Sequence, residues 1–379
     1  MARLLRPRLP RMRSRSRRSK VHFGLMPVSV AASLRRYIEA RIIVKLQFRL
    51  LVLATACLAG LLGGCNRGRG KVLETDYVSA PQAVLRDRVA AVFNKTGTVR
   101  NGDQVQVLER ERRFVRVRTA DGVEGWVEQR YLVSQSVYEG FQKLALDAQK
   151  DPVQGTGTTR NETNLHLEPG RETEHLYQVA QGSKLTFLSR ATVAKSLPGE
   201  AAKPATANPS ETPKPVPMED WWLVRDPQSH AGWVLARMID LDVPLEIAQY
   251  AEGQRIVAFF VLNQVADKDQ KVPQYLVVLS EPKDGMPFDY NQVRVFTWNV
   301  KRHRYETAYR EHKLNGVLPV TVSQEDFGKE GTLPVFVLRV KDDEGNVAER
   351  KYKLNTPIVR RVLAPGEEPP HRTVTKRRR

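Results

Sequence analysis

The sequence predicts a mainly β protein: two small barrels joined by a helix, then an antiparallel β domain that is either a sandwich or a curved sheet. Three observations predict it. A pattern of alternating apolar residues broken by Gly and Asp turns occurs twice, around 102–132 and 182–239. Between the copies, 134–150 switches to helical spacing, and beyond 244 short runs rich in Val, Phe, Tyr and Ile alternate with turn sequences. A chain of 379 residues has room for about two or three domains.

The first element is a leader. Arg35, Arg36, Arg41, Lys45 and Arg49 precede an uncharged run over 50–62, and Leu62-Gly63-Gly64-Cys65 follows. Basic, apolar and small-residue segments in that order are what a secretory leader needs, and the run is shorter than the ~20 residues that span a bilayer as a helix. The alternative is a cysteine closing a short membrane anchor. Leu62-Gly63-Gly64-Cys65 resembles the lipobox of bacterial lipoproteins. That resemblance implies that signal peptidase reads Leu62, Gly63 and Gly64, that residues 1–64 are removed, and that Cys65 carries lipid. It also implies a membrane partner reached through that anchor and a periplasm-facing location. Asn66 resembles the pattern sent to the outer membrane, which is slightly favoured over the inner. The stretch before the apolar run is long for this class, so either the true start is later, with Met26 one candidate, or the Arg-rich stretch 11–20 has a role of its own, and the later start is favoured. The second cysteine, Cys57, would leave with the leader, and the mature chain would have no disulfide.

Residues 65–80, Gly- and Arg-rich at their start, read as a flexible tether. The repeat follows. Gly102-Asp-Gln-Val105-Gln-Val107-Leu108 matches Gly182-Ser-Lys-Leu185-Thr-Phe187-Leu188; Phe114-Val-Arg-Val117 matches Trp221-Trp-Leu-Val224; Gly125-Trp126-Val127 matches Gly232-Trp233-Val234. Tyr131-Leu132 and Met238-Ile239 close the copies. Short strands of this kind would curl into a barrel that hides its own edges. With the early Leu85-Arg86, these motifs resemble the bacterial SH3 domain family. The first copy, 81–134, has Phe114 where that family usually has Trp. The second, 159–242, has Leu165-His-Leu167 in place of Leu-Arg.

Within the linker 135–158, Ser136 and Glu139 are spaced as a capping box, and Val137, Phe141, Leu144 and Ala148 share one helix face. A lone helix of that length is marginal in water, so this face is expected to dock on a barrel. In the second copy, Gly102–Gly182 and Trp126–Trp233 differ in spacing, which places an insertion at 191–218. Its six prolines among Ala, Ser, Thr and Lys predict a disordered loop. Residues 244–362 are expected to form six or seven antiparallel strands, with runs at 255–265, 274–279, 292–299, 304–309, 332–340 and 348–354. Residues 363–379 read as a disordered basic tail.

The net charge of +19 is misleading about partners. Of 61 basic and 42 acidic residues, 14 and one lie in 1–64 and five and none in 371–379, leaving 42 against 41 elsewhere. The body therefore lacks the basic excess that a nucleic-acid-binding domain needs, and no nucleic-acid partner is expected. No His-x-x-x-His pair, phosphate loop or Gly-x-Ser-x-Gly is present, so no enzyme, metal or cofactor is expected. Bacterial SH3 domains often accompany a wall hydrolase, whose cysteine and histidine motifs are absent.

The aromatic residues Phe114, Trp126, Tyr131, Trp222 and Trp233 are the candidate ligand contacts, in the groove role that the SH3 resemblance implies. The alternative is that Trp126 and Trp233 pack the barrels. Adjacent strand residues face opposite ways, and alignment with Phe114-Val115 assigns Trp221 inward and Trp222 outward. Two functions stay open. One is a membrane-anchored envelope lipoprotein whose SH3-like domains bind cell wall (peptidoglycan) or a wall-associated peptide. The other is an assembly subunit docking on an envelope protein through its C-terminal β domain.

Overall fold

The computed structural model describes residues 71–89, 93–196, 216–363 and 366. The leader with Leu62, Gly63, Gly64 and Cys65, the first part of the tether, residues 197–215 of the insertion and nearly all of the basic tail lie outside them. The chain divides into units 1–70 and 71–379, and the described residues all belong to the second.

The architecture is mainly β. The first sheet contains β1 (Glu74–Val78), β2 (Gln82–Arg86), β3 (Lys95–Arg100), β4 (Gln104–Glu111), β5 (Phe114–Thr119), β6 (Glu124–Glu128) and β7 (Leu132–Ser134), in the order β3-β2-β6-β5-β4-β1-β7. The second contains β8 (Gly155–Thr159), β9 (Thr163–His166), β10 (His175–Val179), β11 (Lys184–Ala194), β12 (Met218–Arg225), β13 (Ala231–Leu235) and β14 (Ile239–Leu241), in the order β10-β9-β13-β12-β11-β8-β14. Adding seven to each strand number converts one order into the other. One apolar cluster draws Val78, Leu85, Val99, Val107, Val117 and Val127 from six strands, so the first sheet curls around its own core.

The repeat motifs have matching structural jobs. Gly102 and Gly182 both take the left-handed backbone (φ +84° and +75°) in the turn before β4 and β11. Their N–H groups donate to the last residues of β1 and β8, Val78 and Thr159. Gly125 and Gly232 let two strands approach: a Cβ would lie 2.7 Å from Leu85 Cβ and 2.5 Å from Leu165 Cβ. The second pair shows that Leu165 occupies the place of Leu85.

Three boundaries differ from the sequence reading. The tether 65–80 contains β1, so the first unit begins at Glu74 rather than 81. The linker 135–158 contains β8. Both strands are poor in apolar residues, but each sits between two partners, β1 between β4 and β7 and β8 between β11 and β14, so ladder hydrogen bonds hold them. The insertion also starts later than 191, because β11 and β12 stay paired out to Ala194 opposite Met218.

Helix α1 (Gln135–Ala148) buries Phe141 and Ala148. Its Tyr138 stacks on Tyr77 of β1 (3.8 Å between ring centroids), and Phe141 meets Tyr177 of β10 edge-on, so the helix fills the junction of the two sheets. The capping box does not form. Ser134 is the N-cap, which places Ser136 inside the helix, where its hydroxyl meets that of Ser134 at 2.8 Å.

The C-terminal domain is one sheet rather than a sandwich: β15 (Arg255–Asp267), β16 (Gln270–Ser280), β17 (Tyr290–Asn299), β18 (Arg304–Asp326), β19 (Thr332–Lys341), β20 (Val347–Asn355) and β21 (Ile358–Val362), each paired with the next. β18 runs far beyond 309. It serves β17 with its first half and β19 with its second, and a register shift between Val317 and Thr321 accommodates Pro319. One face of the sheet, with Leu276, Val278 and Phe336, joins a cluster that also holds Phe187, Trp222 and Val224 of the second sheet. The other face, with Tyr275 and Val277, packs on Ile247 of the short helix α2 (Leu245–Ala248).

Candidate ligand face

Strand alternation sorts the side chains of β5 and β6. Val115, Val117 and Val127 point into the core of the first sheet. Phe114, Arg116, Trp126 and Glu128 therefore share the outer face, with Phe114 opposite Glu128, Arg116 opposite Trp126, and Trp126 opposite Arg86 of β2. Phe114, Trp126 and Arg86 are half-buried and Arg116 is exposed. Cations gather around the rings: the Arg113 guanidinium lies 5.4 Å from the Phe114 centroid and that of Arg130 lies 4.8 Å from Tyr131. Tyr131, half-buried, also packs against the core of the first sheet. Glu124 anchors the cationic side of the face. It accepts from Arg118 at 2.7 Å and from Arg116 at 2.9 Å, and the Arg118 hydrogen bond chiefly holds its carboxyl below the usual range.

The corresponding positions of the second sheet are Trp221, Leu223, Trp233, Leu235 and His166, with Trp221 opposite Leu235, Leu223 opposite Trp233, and Trp233 opposite His166. Here the face is covered. Leu144, Ala145 and Ala148 of α1 pack with Leu223, Ala231 and Trp233. Trp221 is only 2% exposed, with His166 edge-on at 5.2 Å. Burial, helped by the neighbouring His175, pushes the His166 imidazole down to about 4.

The expected orientation of the paired tryptophans is reversed. Trp222 is the inward residue: it stacks on Phe187 at 5.2 Å and joins Val224 and Val234 in the core, with 8% exposure. The inward pair of the first sheet is Val115 and Val117, two apart, and its register partner is Trp222 and Val224. Phe114 and Val117, three apart, lie on opposite faces, so the aromatic of the repeat motif was the outer residue all along. Trp222 is not an exposed contact, and Trp233 stands under the helix. Arg86 and Arg116, which join Phe114 and Trp126 on one face, were not among the expected contacts. The alternation of Phe114-Val-Arg-Val-Arg118, read at period two, would have found Arg116.

The bacterial SH3 domain family matches residues 88–133, which take in β3 to β6. No curated protein matches the chain. Among solved structures, an NlpC/P60 family protein from Bacillus cereus is similar at 13% identity and a TM-score of 0.21, over 51% of this chain and 65% of that one. This chain thus spans slightly less than two thirds of that protein. NlpC1 from Trichomonas vaginalis is similar at 8% identity and a TM-score of 0.16, over 64% of this chain and 89% of that one. NlpC2 from the same organism is similar at 10% identity and a TM-score of 0.16, over 63% and 97%. At these TM-scores the three resemblances carry no inference about this chain.

Proposed function

We propose that the protein is a non-catalytic envelope lipoprotein, anchored by a lipidated Cys65 in a periplasm-facing membrane, most readily the outer one. Its first SH3 domain touches cell wall through the face that carries Arg86, Phe114, Arg116 and Trp126. The second sheet is in this reading a further SH3-like domain that serves as a spacer, and its strand order and its two shared glycine positions support that kinship. The observation that carries the reading is that the unit matched by the family keeps Phe114 and Trp126 half-buried beside an exposed Arg116, whereas helix α1 packs on the corresponding face of the second unit. Bacterial SH3 domains generally bind cell wall, and flat rings flanked by guanidinium groups suit both sugar faces and the carboxylates of wall peptides. The non-catalytic reading rests on the sequence, whose cysteines all lie at or before position 65. An assembly role through the C-terminal sheet is less favoured, because its strands expose only three large apolar residues among those described, Val261, Val347 and Ile358, each on a different strand.

Fractionation of cells expressing the full chain tests the anchor. A single acyl chain binds membranes only marginally, whereas two or three hold firmly. Wild type should pellet with membranes, Cys65→Ala should move to the soluble fraction, and intact mass should begin at an acylated Cys65. A mature mass that retains residues 1–64 would end the lipoprotein reading. The released protein should co-sediment with purified cell wall, and its staying in the supernatant would end the binding reading.

A further inference from the structure

A cavity of about 500 Å³ opens where the second sheet meets the C-terminal sheet. Phe187, Trp222 and Ile239 form its wall on one side and Ile256 and Val257 on the other. Four arginines reach it, and three of them are committed. Arg190, 3% exposed, is paired with the fully buried Asp220, which also takes Thr192 Oγ1 at 2.9 Å and the Gly285 N–H at 3.1 Å. Arg255 bridges Asp220 and Asp284, at 3.3 and 2.9 Å. Arg160 holds Asp240 through two hydrogen bonds.

Arg237 is different. It is exposed at the cavity and makes no hydrogen bond or ion pair with the described residues. The carboxylate that feels its charge, Glu219, is already gripped by Arg171 through both oxygens. The chamber thus combines an aromatic and aliphatic wall with one guanidinium that has no hydrogen bond or ion pair among the described residues, and its size falls within the roughly 300–1,000 Å³ of small-ligand sites. Domain junctions and the open ends of curled sheets are where such sites occur. A guanidinium binds carboxylate with paired, charge-assisted hydrogen bonds.

We propose that this cavity binds a small organic monoanion with an apolar body, its carboxylate on Arg237 and its apolar part against Trp222. The site is separate from the outer face of the first domain, so it stands or falls independently of wall binding. A carboxylate on an apolar body can come from a peptide terminus or from a fatty acid, and the test includes both. The full chain is titrated calorimetrically with N-acetyl-leucyl-leucine, with its C-terminal amide, and with octanoate. At least one acid should bind with Kd below about 1 mM. The amide should bind about tenfold more weakly than the peptide acid if the peptide is the better ligand, and the stronger acid identifies the source. Arg237→Gln should weaken the stronger acid about tenfold while leaving the thermal midpoint unchanged, because the side chain is exposed. The proposal is overturned if neither acid binds up to about 1 mM, or if Arg237→Gln binds the acid as wild type does. It is also overturned if the peptide acid is the stronger ligand and its amide binds equally well.

Discussion

The two seven-stranded units share a strand order and their turn glycines, yet they present opposite outer faces. In the first, β5 and β6 leave Arg116 exposed and Phe114 and Trp126 half-buried. In the second, the same register holds Trp221, Leu223 and Trp233; α1 packs with Leu223 and Trp233, and His166 lies against Trp221. The core shows a second contrast: where the first unit has Val115, the second has Trp222, whose ring reaches the apolar cluster shared with the C-terminal sheet. One copy of the fold has kept its surface, and the other has turned both of its faces into joints. Which residues bind and which hold the molecule together is thus decided by what packs outside each sheet, since the pairing within the two sheets is the same.

The largest effect should come from the core of the joint. Trp222→Ala removes a buried aromatic and should cost about 3–5 kcal/mol, read from urea unfolding, whereas Phe114→Ala on the open face should cost about 1 kcal/mol or less. Equal losses would mean that the two faces are not distinguished by burial.

The histidine that stands where the first unit has Arg86 gives the second unit an imidazole titration with no counterpart among the residues of the first sheet. Burial pushes the His166 imidazole down to about 4 in the folded protein, against about 6.5 when unfolded, so folding favours its neutral form. Its contribution is fully present above about pH 6.5 and is lost as the pH falls towards 4, up to about 3 kcal/mol in all. Thermal midpoints should drop across that window in wild type and drop less in His166→Gln. Parallel curves would remove His166 as the cause.

A smaller effect is expected at the seam between the two units. The Asn101 side chain donates to Ser79 O at 2.9 Å and Leu176 O at 2.6 Å and accepts from the Gln178 N–H at 3.1 Å, so one amide joins both sheets. Asn101→Ala leaves those groups without a partner and should cost about 1–3 kcal/mol, measured by calorimetry. A midpoint unchanged from wild type would show that water replaces the amide without penalty.

How much of this was legible in the sequence follows from the kind of signal each part carries. The strand Gln104–Glu111 could be read directly from its apolar alternation, as could the helix, because burial on one face leaves a period, and Gln270–Ser280, buried on both faces, could be read from its continuous apolar run. β1 and β8 left none, since they are held by backbone pairing on both sides. The length of β18 was hidden by Gly316 and Pro319, which normally punctuate strands and here fall where one partner hands over to the next. At the candidate site, Phe114 and Trp126 were visible as aromatics of the repeat. Trp221 lies against a histidine and Trp233 under a helix, both brought in by tertiary packing, which no local pattern records, and the inward turn of Trp222 needed the parity of Val115 and Val117 to be read first.

The most direct test sets the same substitution in the two copies, at the register-equivalent tryptophans. Trp126→Ala and Trp233→Ala are each assayed for co-sedimentation with purified cell wall and for thermal midpoint. Trp126→Ala should lose most of its binding with stability within about 1 kcal/mol of wild type. Trp233→Ala, which opens the joint with Leu144 and Ala145, should lower the midpoint further and bind as wild type does. Trp126→Ala sedimenting like wild type, or Trp233→Ala losing wall binding while its fold stays intact, would contradict the assignment of one face to binding and the other to structure.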